Sequence, residues 1–226
     1  MFYALFSIAF ALDTGDKAPN FSLTSLEGQD FSLYAYTGKV VVLEWFNPDC
    51  PYVKYAYNNT DLPKMQHQYI SYQSYSKEKT KTKNTVDASM NKVDIVWLSI
   101  NSGYPKKQGT DVTRNQNAKD EWKIKHPILL DPTGEVGRMY NAQTTPQFVV
   151  IDVDGNIQYQ GALDNSPMGK RKGNRQNLGR GNNEKEKTET TNGQQNYLFD
   201  ALQQLSTGQL PNIHKSKPYG CSVKYK

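Results

Sequence analysis

The residues in this chain best suited to covalent chemistry are its two cysteines, Cys50 and Cys221. Cys50 lies in Asn47-Pro48-Asp49-Cys50-Pro51-Tyr52-Val53, directly after an apolar run and directly before a proline. Proline is favoured at the first position of a helix, where its missing N–H has no partner in any case. The pattern therefore places Cys50 at a helix N-terminus, where unpaired N–H groups and the helix dipole favour a negative charge. A thiol there falls below its free value of about 8.5 and becomes a nucleophile. Asp49 opposes that shift, and Lys54, one turn along, supports it. The competing reading is an inert buried cysteine, since free Cys packs like a small hydrophobe. Cys221 has three readings: a redox partner that resolves oxidised Cys50, a permanent disulfide, and an unpaired thiol. The three histidines, His67, His126 and His214, are far apart in the sequence, so no metal set is expected.

Positioning Cys50 requires a scaffold, and the hydrophobic pattern supplies one. Val40-Val41-Val42-Leu43-Glu44-Trp45-Phe46 is a short β-branched and aromatic run, the mark of a strand covered on both faces. Pro51 opens a helical stretch to about Tyr75, with Pro63 predicting a kink or break. Val93–Ile100 and Phe148–Asp152 read as further buried strands. Asp154-Gly155 marks a hairpin turn into a returning strand, Ile157–Gly161. Helices are expected over 111–125, over Val136–Tyr140, and from Tyr197 until Gly208 stops the last one. Phe21 to Tyr34, turning at Glu27-Gly28-Gln29, forms a hairpin-like start. The order β-α-β-α-β-β-α implies an α/β fold with a mixed central sheet flanked by helices.

With 36 % hydrophobic residues, 226 residues can bury one core of the larger kind. The net charge of +5 could suggest nucleic acid, but residues 170–189 hold seven Lys/Arg against three Glu. The basicity belongs to that segment and not to a folded face, so no nucleic-acid role is expected. Two stretches, 76–92 and 165–193, are polar and are expected to be exposed insertions, the second mobile. Residues 1–12 are almost wholly apolar. They are too short for a bilayer span, which needs about 20 residues, and fit a signal peptide or an apolar arm before a single domain, 13–226. A signal peptide implies a secreted or extracytoplasmic protein, and an arm a cytoplasmic one.

Trp45-Phe46-Asn47-Pro48-Asp49-Cys50-Pro51-Tyr52-Val53 resembles the strand-to-helix active-site segment of the thioredoxin superfamily. Thr144-Thr145-Pro146 resembles the turn that carries a cis-proline facing the active cysteine there. Gly15-Asp16-Lys17-Ala18-Pro19-Asn20-Phe21 resembles the opening of the redoxin branch, which includes alkyl hydroperoxide reductase and thiol-specific antioxidant proteins. Pro218-Tyr219-Gly220-Cys221-Ser222-Val223-Lys224-Tyr225 resembles the tail of a peroxiredoxin-like subgroup. The resemblance covers about residues 15–163. It implies a thioredoxin-like fold with an N-terminal β-hairpin extension, with Pro51, Tyr52, Thr145, Pro146 and Asn47 facing the substrate. Two departures matter. Val53 stands where thioredoxins have their second cysteine. Asn47 and Leu43 stand where typical peroxiredoxins have Thr or Ser and Pro.

The combined expectation is a thiol–disulfide oxidoreductase or peroxiredoxin-like antioxidant protein. Cys50 attacks a disulfide or peroxide, Cys221 resolves the product, and an external thiol reductant completes the cycle without a cofactor. The alternative is a binding module that has kept the fold and lost turnover.

Overall fold

The structure, a computed structural model, describes residues 12–68, 93–169 and 195–226. The central strand is β3 (Val40–Trp45), and all six of its residues are buried. It runs parallel to β4 (Ile95–Asn101) and antiparallel to β7 (Gln147–Ile151), with Val42 opposite Trp97 on one side and Val150 on the other. Beyond β4 lies β5 (Ile128–Leu130), then β1 (Ser22–Ser25) and β2 (Asp30–Ser32). Beyond β7 lies β8 (Ile157–Gly161), which gives the order β2-β1-β5-β4-β3-β7-β8.

Side chains alternate across a strand, and β3 shows the consequence. Val40, Val42 and Phe46, just past the strand, enter one core with Val53 and Tyr57 of helix α1 (Pro51–Asn59). The same core takes Leu198, Ala201, Leu202 and Leu205 of α5 (Tyr197–Ser206), the apolar stripe read from the sequence. Val41, Leu43 and Trp45 enter a second core with Val136 of α4 (Glu135–Met139) and the adjoining Tyr140. Helix α3 (Val112–Glu121) is capped by Asp111, whose carboxylate accepts the Arg114 N–H.

Three expectations change. The single helical stretch from Pro51 is two helices, α1 and a helix α2 beginning at residue 62. The Thr60 hydroxyl makes the break by donating to the Ala56 carbonyl and accepting the Leu62 N–H. Pro63 therefore lies in the first turn of α2, where a proline costs little. The expected insertion 165–193 also starts too early. Residues 165–169 are held in place: the Asn165 N–H donates to the Gln195 carbonyl, and the Ser166 N–H to the Asp164 carboxylate. The stretches 76–92 and 170–193, and the leader through residue 11, lie outside the described residues.

The third change concerns the tail beyond Gly208, to which the hydrophobic pattern assigns no element. It is pinned along its length. The Ser216 N–H donates to the Gln160 carbonyl, Tyr219 Oη donates to Asp164, the Val223 N–H to the Gln143 carbonyl, and Tyr225 Oη to the Ala142 carbonyl. Between these points β9 (Cys221–Ser222) pairs antiparallel with β6 (Thr144–Thr145), placing Cys221 opposite Thr145.

Candidate active site

Cys50 is the N-cap of α1, as the Pro51 signal implied, and is only 2 % exposed. Its thiol donates to the Thr145 carbonyl at 3.0 Å. The Thr145–Pro146 peptide bond is cis, so the turn read from Thr144-Thr145-Pro146 stands against the cysteine. On the other strand of this small ribbon is Cys221, partly buried, its thiol in hydrogen-bonding contact with Cys50. Gly220 makes the approach sterically feasible. A Cβ there would come within 2.1 Å of the Thr145 carbonyl oxygen, and its φ of +145° is one that L side chains rarely adopt.

Burial pushes the Cys50 thiol up, but hydrogen bonds outweigh it. They come from the Cys221 thiol and the backbone N–H groups of Val53 and Cys221, and the net position lies below the ordinary value. Cys221 moves the other way. Burial, then its hydrogen bond to Cys50 and the Cys50 charge, push it up to about 11. Of the two, Cys50 is therefore the more acidic thiol, and the first proton to leave the reduced pair leaves Cys50. Both thiols are present in the free form.

The other residues expected at the substrate face divide. Tyr52 is half-buried and its ring lies 6.0 Å from that of Tyr219, flanking the Cys221 side. Pro51 is exposed, and Thr145 and Pro146 form the buried wall. Asn47 is a correction. It is 5 % exposed, its Oδ1 accepts the Asp49 N–H, and its Nδ2 donates to the Gln108 carbonyl. Its amide is committed to the backbone of two loops and is not turned to a substrate. Lys54, expected to support the thiolate, is exposed and absent from the interactions that set the thiol.

Two further groups were passed over in the sequence. Arg114 pairs with Asp49 at 2.8 Å and also donates to the Pro48 carbonyl, countering the acid beside Cys50 and fixing the loop before it. Nothing in the local sequence marks Arg114, because it comes from another helix. Glu44, six residues before Cys50, was visible as the one acid inside an apolar run. It is fully buried, and burial raises its carboxyl from 4.5 to about 7. Its Oε2 accepts from Trp97 Nε1 at 2.8 Å, Gln66 Nε2 at 3.0 Å, Tyr57 Oη at 3.1 Å and Ser99 Oγ at 3.2 Å, whereas among the described residues Oε1 meets only Tyr57 Oη. Ser99 Oγ also bonds His126 Nε2 at 2.8 Å, and burial pushes that imidazole down to about 3, so it is neutral.

A sheet of this order, with a thiol at the start of the helix after its central strand and a cis-proline turn opposite, is the thioredoxin-like arrangement. The whole-chain likeness to solved structures agrees. A hypothetical protein of Sinorhizobium meliloti 1021 matches with a TM-score of 0.64 at 16 % identity, over 96 % of this chain and 97 % of its own. An uncharacterized conserved protein of Geobacillus kaustophilus matches with a TM-score of 0.63 at 25 % identity, over 95 % and 93 %. More particularly, the chain belongs to the redoxin family, whose model matches residues 13–177. Among characterised relatives, the thiol-disulfide oxidoreductase ResA of Bacillus cereus is 27 % identical over 158 residues, 70 % of this chain and 74 % of that protein. No helix among the described residues is long and apolar enough to cross a membrane.

Proposed function

We propose that this protein is a thiol–disulfide oxidoreductase whose working pair is Cys50 and Cys221. The observation that carries the reading is the β6–β9 pairing, which sets Cys221 opposite Thr145 while Thr145 itself touches Cys50. Val53 removes the partner one turn along α1, and the tail strand brings another from 171 residues away. The ordering of acidity fits exchange chemistry, in which the more acidic thiol ionises and attacks a disulfide sulfur and a second thiol then closes the intramolecular bond. The resemblance to ResA, named a thiol-disulfide oxidoreductase, supports this class of substrate. Peroxide is the less favoured oxidant. No hydroxyl stands at Asn47, and its amide is already bonded elsewhere. An external thiol is the reductant, and the apolar run 1–12 supports an extracytoplasmic setting.

The test is a peptide map. The reduced protein is treated with one equivalent of oxidised glutathione and digested without reduction. A peptide joining Cys50 to Cys221, lost in Cys50→Ser and in Cys221→Ser, is the expected result. If neither this treatment nor one equivalent of hydrogen peroxide links the two, the pair is not a redox couple and the binding-module reading takes its place.

A further inference from the structure

Two sulfurs in a disulfide are not equivalent when one is inside the protein and the other at its rim. Exchange proceeds by in-line attack: the incoming thiolate approaches one sulfur from the side opposite the other, which leaves. For Cys50 that approach is closed. Its side chain belongs to the core cluster with Val53, Phe46 and Phe148, it is 2 % exposed, and Thr145 covers a further side. A nucleophile aimed along the bond at Cys50 would have to come through the core. Cys221 presents the reverse case. It is only partly buried, it lies on a two-residue strand at the edge of the ribbon, and its neighbour Ser222 is exposed.

On this basis, and resting on the reading of Cys50 and Cys221 as a disulfide-forming pair, we infer that an external thiol enters the oxidised protein at Cys221. The mixed disulfide then forms on the tail, and Cys50 departs into the N-terminus of α1. The bonds balance as follows. A thiolate RS⁻ attacks Cys221 Sγ, the Cys221–Cys50 bond breaks, and Cys50 takes the electron pair as thiolate. A second thiolate attacks the R sulfur, releasing RSSR, and Cys221 takes up a proton. Two thiols supply the two electrons.

The leaving group is suited to this direction. The Val53 and Cys221 backbone N–H groups that favour a charge on Cys50 belong to α1 and β9. They are in place before the bond breaks, and a thiol of lowered pKa leaves faster. The order is thus set by the fold. Substrate contacts for the reductive half-reaction fall on the residues around Cys221, Tyr52 and Tyr219 among them.

The experiment follows a single turnover of the wild-type protein. The disulfide form, made with diamide and desalted, is mixed with 2-mercaptoethanol and quenched in acid at early times. Freed thiols are labelled with N-ethylmaleimide in denaturant at mildly acidic pH, and both cysteine peptides are quantified by mass spectrometry. We expect the mercaptoethanol adduct on Cys221 and maleimide on Cys50 to exceed the opposite pattern by more than about tenfold. Equal yields, or the adduct chiefly on Cys50, overturn the inference while the pair itself stands. Failure of diamide to produce any Cys50–Cys221 peptide overturns the pair and this order of attack with it.

Discussion

Replacing Glu44 with glutamine should change how stability responds to pH, and the geometry gives both sign and size. Four donors converge on Glu44 Oε2, and among the described residues only the Tyr57 hydroxyl meets Oε1. A proton on the buried carboxyl therefore belongs on Oε1, with the Tyr57 hydroxyl turned to accept it. Glutamine reproduces that protonated state, its oxygen taking the Trp97, Gln66 and Ser99 donors and its NH2 facing the Tyr57 oxygen. In the wild type the carboxyl is raised by burial from 4.5 to about 7. Below pH 4.5 it is protonated whether folded or unfolded, and nothing is lost. Between the two values only the folded protein keeps the proton, and above about 7 neither form does. Stability therefore falls as pH rises through this window, by about 3 kcal/mol in all. His126 acts in the opposite sense. Held neutral down to about 3, it contributes stability that is complete above pH 6.5 and lost as pH falls. The two slopes oppose each other in the wild type, so the informative quantity is the difference between proteins. Urea unfolding followed by Trp fluorescence should show Glu44→Gln gaining about 3 kcal/mol on the wild type between pH 4 and pH 8. Parallel pH profiles would refute the reasoning, because they would mean that the carboxyl ionises alike in both states.

Other outcomes follow from the same geometry. The rate of Cys50 alkylation against pH should report a thiol below its ordinary value in the wild type, and Cys221→Ala should move that midpoint upward by removing a hydrogen bond to the thiolate. Gly220→Ala forces a Cβ toward the Thr145 carbonyl. It should cost about 1–3 kcal/mol in urea unfolding and slow closure of the Cys50–Cys221 disulfide, read by quenched peptide maps. Arg114→Ala breaks a partly buried ion pair and should cost about 1 kcal/mol of stability. It should also raise the Cys50 alkylation midpoint, because Asp49 is left uncompensated. Because Asn165 and Gln195 bond to each other, replacing residues 170–194 with a short Gly-Ser linker should leave the melting temperature within a few degrees.

What was legible in the sequence was what local pattern determines. The β3 run, the Pro51 helix start and the α5 stripe each carry their own periodicity or cap, and each formed where expected. Cys50 was legible for the same reason, since strand, loop and helix start are contiguous around it. What stayed hidden depends on pieces of chain that meet only after folding. Arg114 reaches Asp49 from α3 with no local mark. The β6–β9 ribbon has two residues on each side, too few to show an alternation. Asn47 was placed at the substrate face by resemblance, and the Gln108 carbonyl that takes its amide comes from a loop with no local mark. Pro63 was read as a breaker within a helix because the Thr60 hydroxyl, which ends α1 first, carries no strong signal on its own.

The distance in sequence between the paired cysteines has a consequence for how the protein is made. Synthesis proceeds at about 5–20 residues per second, so Cys221 follows Cys50 out of the ribosome by about 10–30 s. In that interval the strands of the main sheet, through β8 at Gly161, and then α5 are already available to fold. A chain that emerges N-terminus first, from the ribosome or across a membrane, can therefore seat Cys50 at the start of its helix before the strand that covers it arrives. A chaperone or small thiol that acts on Cys50 has its opportunity then, before the tail is stitched across the site.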